Sequence, residues 1–275
     1  MNLTKRLIIN ADDYGGCPEI DEAVEQLASS GRLGGVSVLA NGDCWESAAS
    51  FLGSHRELSA GIHLNVVEGR PVANAREVAI LTQSDGSFVA LSVLLRRWVL
   101  SPRAVSRAVE TEWRAQIERL IDSGLQLQHA DSHRHVHAFP PAYRMAARLC
   151  QEYSVPALRW PMERKFKSRR LPSLAISATI AISGLLRSSA EVFRNDHFLG
   201  FQRAGSYTNA TLLADLRLLA DGLTELALHA STRDGWPYAS FNGRQELQAV
   251  LDERLPGWLD ELSIQLTSWE KATQL

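Results

Sequence analysis

Short apolar runs alternate along this chain with longer segments in which apolar residues recur at helical spacing, and that alternation predicts parallel strands joined by crossover helices. Leu7-Ile8-Ile9-Asn10 reads as the first strand. Residues 19–29 read as a helix with Ile20, Ala23, Val24 and Leu27 on one face; the stretch from Gly31 through Gly35 then turns the chain into a second strand, Val36-Ser37-Val38-Leu39-Ala40. A helix over 43–51 and a strand over 59–65 follow, then a long stretch with Gly and Pro over 66–86. Helices are expected over 88–98 and 102–122, the second with Pro102 near its first turn and Gly124 just past its end. The rest of the pattern gives strands over 127–132, 155–160 and 223–229, helices over 142–153, 211–220 and 244–254, and a short apolar run over 262–266. The fold class is therefore α/β, in one domain over residues 1–275, since no Pro/Ser/Gly-rich linker divides the chain.

Asp12, Asp13, His63, His133 and His229 fall at or near the C-terminal ends of four of these strands. In parallel α/β sheets and barrels that edge is where sites form, because the strand-to-helix loops converge there.

Composition changes this picture little. With 275 residues, 45% hydrophobic and 22% charged, the chain can bury a sizeable core, and a formal net charge of −2 leaves no overall footprint for nucleic acid. Cys17, Cys44 and Cys150 are scattered and not at C-x-x-C spacing, as expected of incidental thiols in a reducing compartment. The first residues lack the apolar region and cleavage site of a signal peptide, so a cytoplasmic location is expected.

The chemistry is concentrated. His129-Ala130-Asp131-Ser132-His133-Arg134-His135-Val136-His137 holds four of the eight histidines. At strand spacing Asp131, His133, His135 and His137 would share one face. Imidazoles beside a carboxylate are donors for zinc-like divalent ions, so a metal site is the first hypothesis. Only one or two of these histidines can reach one ion; the others line the cleft or orient ligands. Asn10-Ala11-Asp12-Asp13-Tyr14-Gly15-Gly16 ends a strand with paired carboxylates, read either as a turn with a helix cap or as a ligand beside a free base. His63, in Gly61-Ile62-His63-Leu64-Asn65, reads either as a core histidine or as a third donor; one Asp and two His leave positions open for water and substrate.

In order, Leu7-Ile8-Ile9-Asn10-Ala11-Asp12-Asp13-Tyr14-Gly15, the Gly61 to Asn65 strand with Glu68-Gly69-Arg70-Pro71 after it, and the histidine cluster resemble the YdjC-like carbohydrate deacetylases, which include chitooligosaccharide deacetylase and the hopanoid-biosynthesis-associated deacetylase. The resemblance implies a (β/α)-barrel-like fold related to the TIM barrel, and metal-dependent removal of an N-acetyl group from an amino sugar. It makes Asp13, His63 and His133 the metal ligands, Asp12 the general base and His229 the acid that protonates the leaving amine. Two departures stand out: Ala230 follows His229 where the family has proline, and Tyr14 replaces a more usual Phe. Asp196-His197-Phe198-Leu199-Gly200 looks more like the hopanoid-associated branch.

On the substrate side, Arg159 reads either as orienting a carboxylate or as a rim salt bridge, Asn65 and His135 are read as sugar contacts, and Trp160, Trp236 and Tyr238 read either as stacking faces for sugar or, as aromatic residues more often are, as core or rim. The basic run 164–170 leads into an apolar, Ser-rich stretch too short to span a bilayer. Residues 164–187 suit either a membrane-surface contact or lid over a lipid-linked sugar, or a buried barrel helix. The expected cofactor is one divalent ion per chain, Zn²⁺ or Mg²⁺ with Mn²⁺ and Co²⁺ also admitted, and a homodimer is the base-rate expectation. Two rival readings are a metallophosphoesterase, which needs more bridging carboxylates, and a metal-dependent sugar- or lipid-binding protein without catalysis.

Overall fold

The computed structural model describes residues 4–163, 192–235 and 241–274. The segment 164–187, Trp236 and Tyr238 lie outside these described residues.

Strands β1 (Lys5–Tyr14), β2 (Gly35–Val38), β3 (Ala60–Leu64), β4 (His129–Ser132), β5 (Ala157–Leu158), β6 (His197–Leu199) and β7 (Gly222–Leu228) form one sheet in the order β5-β4-β3-β2-β1-β7-β6. Every pairing along it is parallel. A short β8 (Ile264–Leu266) pairs with Lys5 to Leu7 of β1, below the stretch where β2 takes over from Asn10 onward. Ala157 of β5 also bridges in parallel to Phe193, just before β6, which curls the two ends of the sheet toward each other. The expected parallel, barrel-like α/β architecture is the one observed.

Helices α1 (Pro18–Ser29), α2 (Trp45–Ser54), α3 (Leu91–Leu100), α4 (Pro102–Asp122), α5 (Pro140–Glu152), α6 (Asn209–Leu216), α7 (Gly243–Leu251), α8 (Leu255–Glu261) and α9 (Trp269–Thr273) alternate with the strands. Helix α1 starts at Pro18, whose missing N–H is harmless in a first turn, and buries Ile20, Ala23, Val24 and Leu27, the predicted face. The central strand β1 is buried along Leu7 to Tyr14, as a strand covered on both faces must be. Two packing constraints bear on the site. A Cβ on Gly61 would lie 2.3 Å from the His129 ring, and one on Gly35 would lie 2.3 Å from Oδ1 of Asn10, so these strands approach buried polar side chains closely.

The histidine row did not form as strand spacing suggests. Strand β4 stops at Ser132, and residues His133–Ala138 make a tight turn in which Arg134 (φ 52°) and His135 (φ 54°) are left-handed. The alternation of a strand is lost there, so Asp131, His133, His135 and His137 go to separate destinations. Strand β6 and helices α8 and α9 had no place in the sequence reading: β6 is only three residues long, inside Asp196 to Gly200.

Candidate metal centre and active site

Strand β1 supplies two consecutive carboxylates to one edge. Its register against β2 shifts between Ala11 and Tyr14, and Asp13 sits at φ 66°, a left-handed conformation uncommon for any residue but glycine. Both Asp12 and Asp13 thereby come within ligand spacing of His63.

Asp13 Oδ1 lies 2.8 Å from His133 Nδ1 and 3.1 Å from His63 Nε2. Donors bound at about 2 Å to one ion stand roughly 3 Å apart, so this spacing suits a shared cation. The other Asp13 oxygen, Oδ2, is buried and has no hydrogen-bond partner among the described residues, an orphan that a cation would satisfy. His63 donates Nδ1–H to Asp131 Oδ1 at 2.7 Å, which turns its Nε2 toward Asp13. Burial pushes the His63 imidazole toward neutrality, but Asp131 and Asp13 outweigh it and raise its pKa to about 10 in the ion-free protein. Burial likewise opposes ionisation of Asp13, yet His133 and His63 hold its carboxyl well below the usual range.

Beside this cluster Arg159 is fully buried and its guanidinium is surrounded by carboxylates. It donates to Asp12 through two parallel bonds of 2.7 Å, to Glu225 through Nε at 2.8 Å, and pairs with Asp131 at 2.6 Å. Asp12 also accepts from Asn10 Nδ2 at 2.8 Å, so three of about four acceptor positions on its carboxylate are taken. Burial pushes Glu225 up to about 8 despite the pull of Arg159. Below them Ser37 donates to Asp131 at 2.7 Å and accepts from Asn10 at 2.8 Å. His129 stacks on Trp269 with Nε2 3.1 Å from that hydroxyl, and burial drives its pKa down to about 3.

The β1–β7 register pairs Ala11 with Leu228, so Asp12 and His229 are the next residues on adjacent strands. The His229 ring is partly buried, packs edge-on against Phe241 at 5.0 Å, and among the described residues its Nδ1 has no hydrogen-bond partner. Its backbone N–H donates to Glu246, whose buried carboxylate also accepts from Ser206 and Tyr207 and so ties three amides together. A paired Asp12, a cluster Asp13–His63–His133 and an imidazole thus share the C-terminal edge of a parallel sheet. The same motifs match a sequence profile described as YdjC-like protein over residues 6–261.

The chain belongs to the YdjC-like family.

Among its relatives, a Mus musculus protein named carbohydrate deacetylase is 30% identical over 290 residues, covering 95% of this chain and 93% of that one. One of the same name from Oceanobacillus iheyensis is 37% identical over 151 residues, 55% of this chain and 63% of its own. A solved Enterococcus faecalis structure, described as a candidate cellobiose-phosphate cleavage protein, shares the fold with a TM-score of 0.77, covering 98% of both chains at 22% identity.

In this YdjC-like chain the substrate-side expectations fare differently. Arg159 is neither on a rim nor open to a sugar: with no exposed surface it is spent on Asp12, Asp131 and Glu225, so of its two readings the orienting one fits. Asn65 is only 3% exposed; its Oδ1 accepts from Val67 and Glu68 and its Nδ2 donates to Asn41 and the Glu68 carbonyl, which makes it a loop organiser instead of a sugar contact. Trp160 packs with Ala138 and Tyr143 in a small apolar cluster, not as an open stacking face. His135 is partly exposed, packs against the Phe198 and Phe201 rings, and among the described residues its Nδ1 has no hydrogen-bond partner; burial and Arg159 hold it neutral. His137 is structural, bonded to Ser132 and the Arg159 carbonyl. Glu225 is a further member of the Arg159 ion-pair network, and a charge inside the apolar run Leu223-Thr224-Glu225-Leu226 is itself the signal of a buried ion pair.

Proposed function

We propose that the protein is a metal-dependent carbohydrate N-deacetylase that hydrolyses the acetamide of an N-acetylglucosamine-type glycan or glycolipid and releases acetate. The observation that carries this reading is a carboxylate held by Arg159 directly beside a buried two-histidine, one-aspartate cluster. The carbohydrate deacetylase names of the relatives supply the substrate class.

Asp13, His63 and His133 would hold the divalent ion. Once bound, it would supply Lewis acidity toward the amide carbonyl and lower the pKa of water from near 16 toward about 7. Asp12 takes the proton of the attacking water on its remaining acceptor position, and Arg159 keeps that position aimed by holding both oxygens. His229, one register step away, gives a proton to the departing nitrogen, because an amine anion is a prohibitive leaving group. His135, whose Nδ1 has no hydrogen-bond partner among the described residues, is the substrate contact this reading retains.

The arrangement favours one ion over two. Asp12, His63 and Asp131 could form a second donor set, but Arg159 bonds to both of its carboxylates and fills the place with its own positive charge. That speaks against a two-metal phosphoesterase. The test is acetate release from free, oligomeric, nucleotide-linked and lipid-linked N-acetylglucosamine. Release from at least one, abolished in Asp12→Asn, supports the proposal; no release from any of them in the metal-loaded protein rejects it and leaves a binding role.

A further inference from the structure

The two histidines of the cluster face Asp13 through different nitrogens. His63 gives its Nδ1 to Asp131 and presents Nε2. His133 does the reverse: Nδ1 lies 2.8 Å from Asp13, and Nε2 lies 3.2 Å from Oε2 of Glu68. Each imidazole is therefore bracketed by Asp13 on one side and an outer carboxylate on the other. An imidazole that donates one N–H outward presents the lone pair of its other nitrogen inward, so the outer carboxylate selects the ligating atom.

Glu68 is set in place by the loop after β3. Asn65 accepts from the Glu68 N–H at 3.2 Å and donates to its carbonyl at 2.9 Å, and Asn41 donates to the same carbonyl at 3.0 Å. The second carboxylate oxygen, Oε1, pairs with Arg134 from the turn directly after His133. The residue thus joins the β3 and β4 loops across the ligand His133, and it is a third exposed where Asp131 is fully buried.

We propose that Glu68 is a positioning residue of the metal centre: it accepts the Nε2 proton of His133, so that His133 ligates through Nδ1 while His63 ligates through Nε2. This rests on the metal site proposed above. Because outer partners of this kind typically change metal affinity about 10- to 100-fold, the effect is measurable without turnover.

The experiment is Zn²⁺ affinity of the full chain by competition with a chromophoric chelator, joined to long-range ¹H–¹⁵N correlation of the histidine rings in the Zn²⁺-loaded protein. Glu68→Ala is expected to weaken binding about 10- to 100-fold, and Glu68→Gln, whose amide oxygen still accepts, by clearly less. Arg134→Ala should stay close to wild type, and His133 should show a metal-bound Nδ1 and a protonated Nε2. Unchanged affinity in Glu68→Ala, an equal loss in Arg134→Ala, or a metal-bound Nε2 on His133 would each overturn the assignment while leaving the metal site standing. A wild-type chain that binds no ion would overturn both.

Discussion

At the residue scale, two adjacent aspartates have been given separate work by a single left-handed residue. Asp13 turns toward His63 and His133, while Asp12 is locked to Arg159. The two should separate experimentally. Asp12→Asn is expected to keep Zn²⁺ affinity while lowering kcat on the order of 10²- to 10⁴-fold, and Asp13→Asn to lose the ion; equilibrium metal binding beside steady-state rates distinguishes them. Arg159→Met would leave Asp12, Asp131 and Glu225 buried without their shared cation, a change that costs about 3–5 kcal/mol of stability by denaturant titration. The metal and acid–base candidates were legible because chemistry-bearing residues stood at strand ends. Asn65 and Trp160 misled because proximity in sequence to a site says nothing about which way a side chain is spent: the Asn65 amide is consumed by its own loop, and the Trp160 ring packs on Ala138 and Tyr143.

At the element scale, periodicity was sufficient wherever an element was long. Helices α1 and α4 and strands β1, β3 and β7 lie where apolar spacing put them, because each buries a face of several residues. It failed at β6, too short to show a period, and at the histidine turn, where alternation was read across a chain reversal. The sheet itself constrains the site through small residues. Gly61→Ala would drive a methyl group into the His129 ring, which also contacts Ser37 and the Trp269 face. It should destabilise the protein by about 1–3 kcal/mol and, by displacing β3 against β4, weaken metal affinity as well; thermal unfolding and chelator competition report the two effects.

Over the whole molecule, the parallel order of the sheet gathers Asp12, His63, Asp131 and Arg159 near one edge, with Glu225 reaching the same guanidinium from further down β7. Arg159 was legible as a residue that orients a carboxylate, but the three carboxylates it joins come from strands far apart in sequence, so the pairing itself was not. Among the described residues no helix is long and apolar enough to cross a membrane. Away from the site, Glu163 accepts from the Gln202 N–H and links the loop after β5 to the one after β6; burial pushes its carboxyl from the usual 4.5 up to about 7. The folded protein therefore keeps a proton that the unfolded chain loses between these values, and stability should fall as pH rises from about 4.5 to about 7. Glu163→Gln should remove that slope, worth roughly 2–3 kcal/mol across the window, in urea unfolding followed from pH 5 to 8.

Whether one catalytic ion is held by Asp13, His63 and His133 is decided by stripping the protein of metal and titrating Zn²⁺ back while following acetate release from an N-acetylglucosamine oligomer. With a single ion at this site, the stripped protein should release no acetate, and activity should return linearly and level off at about one ion per chain. Full activity without metal, or a rise that continues to two ions, would contradict a single catalytic ion.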